Sequence, residues 1–321
     1  MLRWIASLAV LILAGCGGGG GTGDESPSSG GTTLTSDFTP PTGKVAGPAD
    51  HGPWSNRLMV ATSPDGLNFT RTYEVISDQA DVPDLVIDSQ GWLRLYYLGW
   101  TVGTENNKVV VAISTDGGGT WAYKRVNLSG FTGMSSPVDP DVQLLSSGTF
   151  RMFVTSDPND GAGPRTYLAE GTDGINFSKV GVAFSVPGKA VLDPTTLQTG
   201  AGWHLFAGGS VSAPGANWHA TSADGKNFAY VGEQSFTYVG TPCAVSNGLA
   251  VPGGYRFYGF TQAASSIVSF FSADGETWTS EPGTRLTLDT ASGLEAHGVK
   301  DAAVIRLANG TYLMVYVTEI P

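Results

Sequence analysis

Ser114-Thr115-Asp116-Gly117-Gly118-Gly119-Thr120-Trp121 is the stretch on which the reading of the fold turns. It has four companions: Ser63-Pro64-Asp65-Gly66-Leu67-Asn68-Phe69, Gly171-Thr172-Asp173-Gly174-Ile175-Asn176-Phe177, Ser222-Ala223-Asp224-Gly225-Lys226-Asn227-Phe228 and Ser272-Ala273-Asp274-Gly275-Glu276-Thr277-Trp278. The aspartates follow one another at 51, 57, 51 and 50 residues. A period near 50 suits one four-stranded propeller blade. Each element of the pattern has a local task. Asp accepts backbone N–H groups of its own turn, Gly supplies the positive φ of a tight hairpin, and the aromatic packs on neighbouring strands.

The pattern closely resembles the Asp-box of sialidases and other propellers, which makes these aspartates structural. Around each copy, alternation and β-branched or aromatic content mark strands. Asp84–Ile87, Trp92–Tyr97 and Lys108–Ile113 precede the second box, and similar units begin near Asp141, Thr195, Cys243 and Asp301. Asn56–Ala61 precedes the first box without two strands before it, and Asp301–Val317 has two strands and no box. Together they complete one blade. The expected fold is therefore an all-β, five-bladed β-propeller with four antiparallel strands per blade. Pairing the N- and C-terminal strands would close it and remove open edges.

The flanking sequence predicts export. Met1-Leu2-Arg3 and the apolar run 4–14 read as a signal peptide over 1–15, too short to span a bilayer permanently. Leu13-Ala14-Gly15-Cys16 resembles a bacterial lipobox, with Cys16 as the lipidated residue. Residues 16–43, rich in Gly, Ser, Thr and Pro, read as a flexible tether, and 44–321 as the propeller. This implies a lipid-anchored protein of the bacterial cell envelope, at the outer membrane or cell surface, touching the membrane through its anchor alone. Beyond Cys16 only Cys243 remains, which leaves no intrachain disulfide in the processed domain. The balance of 17 basic and 28 acidic residues, net −11 with no basic cluster, argues against nucleic acid as a partner. No glycine loop follows a strand and opens a helix, which argues against nucleotide chemistry.

Strand parity puts the boxes on one face and the starts of the first strands on the other. That second face also carries the long stretches 100–108, 156–165, 209–218 and 260–266, and long loops on a rigid scaffold are where function gathers. The first strands start at Asp81-Val82-Pro83-Asp84, Val138-Asp139-Pro140-Asp141, Leu192-Asp193-Pro194-Thr195, Thr241-Pro242-Cys243 and His297-Gly298-Val299-Lys300-Asp301. Carboxylates thus recur at the channel mouth in four units. Asp-Pro is good turn chemistry, which is an equally valid account of Asp139 and Asp193. Asp84 and Asp141 begin strands, where capping is less needed, and converging carboxylates raise one another's pKa.

The combination resembles the five-bladed furanosidase superfamily of arabinanases, β-xylosidases and invertase-like enzymes. The resemblance implies a glycoside hydrolase acting on a cell-wall or plant-type saccharide through paired carboxylates, with carbohydrate as partner and a monomeric chain. On it, Asp84 takes the base or nucleophile position and Asp141 the pKa-tuning position, with Asp139 as rival. The third position has Asp193 where the family has a glutamate, and Glu295, then Glu105, are the outside candidates for the acid. Asp139 and Asp301 join the substrate-binding set, and Trp100 and Trp218 are expected as subsite walls. His297 matches a last-blade histidine facing a central ion. No cofactor is required, and an ion in the oxygen-rich channel would be calcium. His204 and His219 read as structural. A sialidase is disfavoured, since Arg57, Arg94, Arg151, Arg256 and Arg306 all lie in strands. The reading from another class is a non-catalytic surface propeller that binds glycan or protein.

Overall fold

The structure, a computed structural model, describes residues 34–321; the expected leader, Cys16 and most of the tether lie outside them. The described residues are all-β, apart from the single 3₁₀ turn Thr290–Ser292. The strands group into repeated antiparallel units. Ala80–Ile87, Leu93–Val102, Glu105–Ser114 and Ala122–Arg125 form one sheet in sequence order. Val138–Leu144, Phe150–Ser156, Arg165–Gly171 and Asn176–Phe184 form the next, with Asn127–Ser129 added in parallel at its edge. Units headed by Val191–Thr199 and Thr241–Val251 follow, linked edge to edge through Phe236–Tyr238 and Thr241–Cys243. In the last sheet Asn56–Ser63 pairs with Tyr312–Glu319 over its whole length, from Asn56 opposite Glu319 to Ser63 opposite Tyr312. Strands from the two ends of the described chain therefore share one sheet.

The core is divided between the sheets. Leu58, Val60 and Val315 pack on Leu85, Leu95 and Val110, while Tyr96 and Val111 of that second group's sheet pack on Met152 and Tyr167. Phe153 and Leu168 meet Trp203 and Leu205, Phe206 meets Phe257 and Phe270, and Tyr258 and Ile267 meet Met59 and Met314. Each apolar cluster is shared by two neighbouring units, so no sheet buries its faces alone. The first strand of each unit touches that of the next, and the fifth touches the first.

The five repeated aspartates act alike. Asp65 Oδ1 accepts the backbone N–H groups of Leu67 and Asn68, each at 2.8 Å. Asp116, Asp173, Asp224 and Asp274 do the same within their own turns. Several of these turns are also latched to a neighbouring sheet. The Arg94 guanidinium donates to the Asp173 carbonyl at 3.0 Å, and the Tyr258 hydroxyl donates to the Gly66 carbonyl at 2.7 Å.

The tether boundary at residue 43 needs correction. Asp37 donates its backbone N–H to the Tyr123 carbonyl at 2.7 Å, Phe38 packs against the Tyr123 ring, and Leu34 reaches a core cluster. The Gly/Ser/Thr/Pro composition masked these two apolar anchors, which dock residues 34–43 on the sheets.

Candidate active site at the starts of the first strands

Four of the five first strands carry the same irregularity at the same place. Register slips between Asp81 and Asp84, Val138 and Asp141, Leu192 and Thr195, and Lys300 and Ala303, where two residues are squeezed against one on the partner strand. The first extra residue has positive φ each time: Val82 at 44°, Asp139 at 55°, Asp193 at 50° and Asp301 at 44°. Such bulges turn a side chain out of the ladder, and Asp accepts the left-handed region better than most residues. The bulge therefore aims Asp139, Asp193 and Asp301 at one opening. The unit with Val82 offers Asp81 instead, one position earlier.

Lys300 sits among these carboxylates. Its ammonium lies 2.6 Å from Asp81 Oδ1 and also contacts Asp301 Oδ2. Burial works against its charge, but Asp301 and Asp81 outweigh that and raise Lys300 well above the usual lysine range. Asn56 Nδ2 donates to Asp81 Oδ2 at 2.8 Å and fixes the carboxylate from the other side. Asp139 is pushed up to about 6, mainly by removal from water; the charges of Asp81 and Asp301 add to this, and bonding to Thr155 opposes it. Desolvation inside the mouth and the like charge of Asp139 both push Asp193 well above the carboxylate range. Because the Asp193 side chain is open to solvent, the like charge is the firmer of its two causes. Asp301 is also raised by burial, against the pull of Lys300. Four carboxylates and one ammonium thus share one opening, and burial with mutual repulsion raises Asp139, Asp193 and Asp301 above the usual carboxylate range.

Asp84 and Asp141 lie deeper and are spoken for. Asp84 Oδ2 accepts the Val142 N–H at 2.7 Å, and Asp141 Oδ1 accepts the Thr196 N–H at 3.1 Å while its Oδ2 takes the Thr196 hydroxyl at 2.5 Å. Asn247 continues the series, accepting the Val304 N–H at 3.0 Å and donating to Asp84 Oδ1 at 3.3 Å. These side chains staple three of the five first strands to the next one, and Asn247 also ties the fourth to the first. Burial, then the Asp141 charge, raises Asp84, and burial lifts Asp141 to about 7. Replacing Asp84 by Ala is expected to cost about 1–3 kcal/mol in urea unfolding, because it leaves the buried Val142 N–H without a partner. Asp84→Asn, which keeps an acceptor, should cost less.

Other expected residues fall elsewhere. Glu295 is not at the mouth but fully buried, held by Arg71 Nε at 2.6 Å, the Tyr316 hydroxyl at 2.7 Å and the Asp289 N–H at 2.8 Å. Trp218 is a core residue in strand Ala216–Ser222, 3% exposed, with its indole N–H given to the Ala190 carbonyl. Trp100 is half-buried and meets Trp54 edge to face at 5.1 Å. Glu105 is exposed in a hairpin, paired with Arg125 at 2.7 Å. His297 is exposed, lies outside the pocket lined by Asp193 and Asp301, and stacks on His51. His204 and His219 are buried and hydrogen-bonded to each other at 3.0 Å.

Two mouth residues were missed from sequence. Asp81 was passed over for Asp84 because the strand was read without its bulge. Lys300 carries no assignment in the sequence reading, although it occupies the register position that Asp81 holds in its own unit.

No family model and no curated protein sequence matches the chain. Solved structures do. A thermostable family-43 glycoside hydrolase superimposes with a TM-score of 0.59 at 13% identity, over 74% of this chain and 88% of that one. An endo-arabinase from Bacteroides thetaiotaomicron VPI-5482 gives 0.54 at 19% identity, over 75% and 93%. The structure of RS223-Beta-xylosidase gives 0.53 at 13%, over 75% and 91%. The chain has the fold of these glycoside hydrolases, a β-propeller, and the resemblance read from the repeats holds at that level.

Proposed function

We propose that the protein is a glycoside hydrolase whose chemistry takes place at the mouth formed by Asp81, Asp139, Asp193, Asp301 and Lys300. The carrying observation is the shared bulge that turns aspartates from separate sheets toward one opening. The ring reading underlies it: five blades, with the sheet of Asn56–Ser63 and Tyr312–Glu319 as the fifth. Its support is the cyclic contact of the first strands and the five core clusters shared between neighbours.

Asp193 is open to solvent and held toward its protonated form, which suits a donor to the leaving oxygen. The carboxyls of Asp81 and Asp301, both paired with the Lys300 ammonium, are its partners, one of which activates water or attacks the anomeric carbon. Asp139 lies between the two roles and tunes both. Trp100, on the rim with Trp54, offers a face on which a sugar ring can stack. Plant-type or cell-wall saccharides remain the proposed substrates, and a lipid-anchored envelope location the proposed setting.

The test is a panel of arabinan, xylan and fructan oligosaccharides incubated with the full chain and with Asp139→Asn. Cleavage of one series, lowered in the variant, is the expected outcome. Saccharides retained but never cleaved would instead make the mouth a binding platform.

A further inference from the structure

Beside the mouth, three side chains from three chain segments converge without a role in the proposed hydrolysis. His51 belongs to the segment before the first strand, His297 precedes Val299–Arg306, and Glu319 ends Tyr312–Glu319. Their ligating atoms lie within 4.8 Å of one another. Glu319 Oε2 is 3.1 Å from His51 Nδ1 and 3.6 Å from His297 Nδ1, and the two imidazoles stack at 4.9 Å with 11° between their planes.

We infer that His51, His297 and Glu319 form a binding site for a divalent transition metal of the zinc class, with an open coordination position toward the mouth. Zinc held by nitrogen and oxygen at about 2.0–2.1 Å puts tetrahedral ligand atoms about 3.3 Å apart. The two distances to Glu319 bracket that edge, so small side-chain shifts complete the site. Two imidazoles and one carboxylate favour zinc, cobalt or nickel, whereas calcium seeks six to eight oxygens.

The backbone presets two of the ligands. Ala296 donates its N–H to the Glu319 carbonyl at 2.9 Å, and Glu319 donates its own to the His297 carbonyl at 3.2 Å, which fixes the two residues side by side. His51 is delivered by a turn in which the Ser55 N–H bonds the Gly52 carbonyl at 2.9 Å; Ile320 then donates to the Ser55 carbonyl at 2.8 Å. The same pocket is lined by Asp81 and Lys300, so a water or hydroxyl on the metal's fourth position would face the mouth carboxylates. A bound ion would also tie the segment before Asn56–Ser63 to the strand that pairs with it. By contrast, His204 and His219 are buried and already satisfy each other.

The test uses the untagged full chain, stripped with chelator, and calorimetric titration with Zn²⁺, Co²⁺ and Ca²⁺. One equivalent of Zn²⁺ should bind, and Co²⁺ should develop visible absorption of a low-coordinate site. The double variant His51→Ala, His297→Ala should lose at least about tenfold in Zn²⁺ affinity and lose the Zn²⁺-dependent rise in melting temperature. Both histidines are exposed, so folding survives their removal, and circular dichroism checks it. Absence of Zn²⁺ binding, equal binding in the double variant, or Ca²⁺ binding lost with the two histidines would each overturn the assignment. None of these readouts depends on hydrolytic activity, so the site stands or falls apart from the proposed function.

Discussion

Asp193→Asn should abolish most glycoside cleavage, by about 10²–10⁴ in kcat, while the unfolding curve stays within about 0.5 kcal/mol of the parent. The substitution removes a proton donor without changing size. Asp193 is exposed and already holds its positive φ at 50°, a conformation that asparagine also tolerates. Its folding role is accordingly slight, and the loss falls on the chemical step. Undiminished kcat on whichever saccharide the wild type cleaves would exclude Asp193 as the acid and leave Asp139 and Asp301 as the other mouth carboxyls with raised pKa values. Initial rates on a chromogenic glycoside, measured beside urea unfolding, separate the two readouts.

Arg71→Met is expected to do the reverse, destabilising the fold by about 3–5 kcal/mol and leaving the mouth untouched. Glu295 has no exposed side-chain surface and meets Arg71 through two guanidinium nitrogens, Nε at 2.6 Å and Nη2 at 3.1 Å. The methionine fills the volume but leaves a buried carboxylate facing only the Tyr316 hydroxyl and the Asp289 N–H. An unpaired buried charge costs more than the pair contributes. Chemical denaturation gives the size of the loss. A change under about 1 kcal/mol would mean that the Arg71–Glu295 pair contributes little to the fold. The double variant Arg71→Met, Glu295→Leu should recover much of the stability, because no charge is then stranded.

Much of the architecture was legible because it repeats. Five Asp-Gly turns near a 50-residue period, with alternating strands between them, require one sheet-forming unit used over and over. The incomplete units before Ser63 and after Asp301 matched the observed pairing of Asn56–Ser63 with Tyr312–Glu319. Local hydrogen bonding in a turn depends on a few adjacent residues, so it can be read from a string of letters. The same holds for the recurrence of acidic residues at the first-strand starts.

The site was legible only in outline. A bulge shifts which residue points outward, and a one-residue shift reverses every side chain. That is why Asp84 and Asp141 became staples between strands, while Asp139, Asp193 and Asp301 took the mouth. Glu295 and Trp218 went wrong for another reason: burial is set by what packs from distant segments, such as Arg71 on Glu295 across 224 residues. The grouping of His51, His297 and Glu319 is likewise a long-range fact, brought about by pairing between strands from opposite ends of the chain. Sequence thus determined the repeating unit, because turn and strand preferences are local; tertiary structure alone decided which acids meet, because that depends on register and on partners hundreds of residues away.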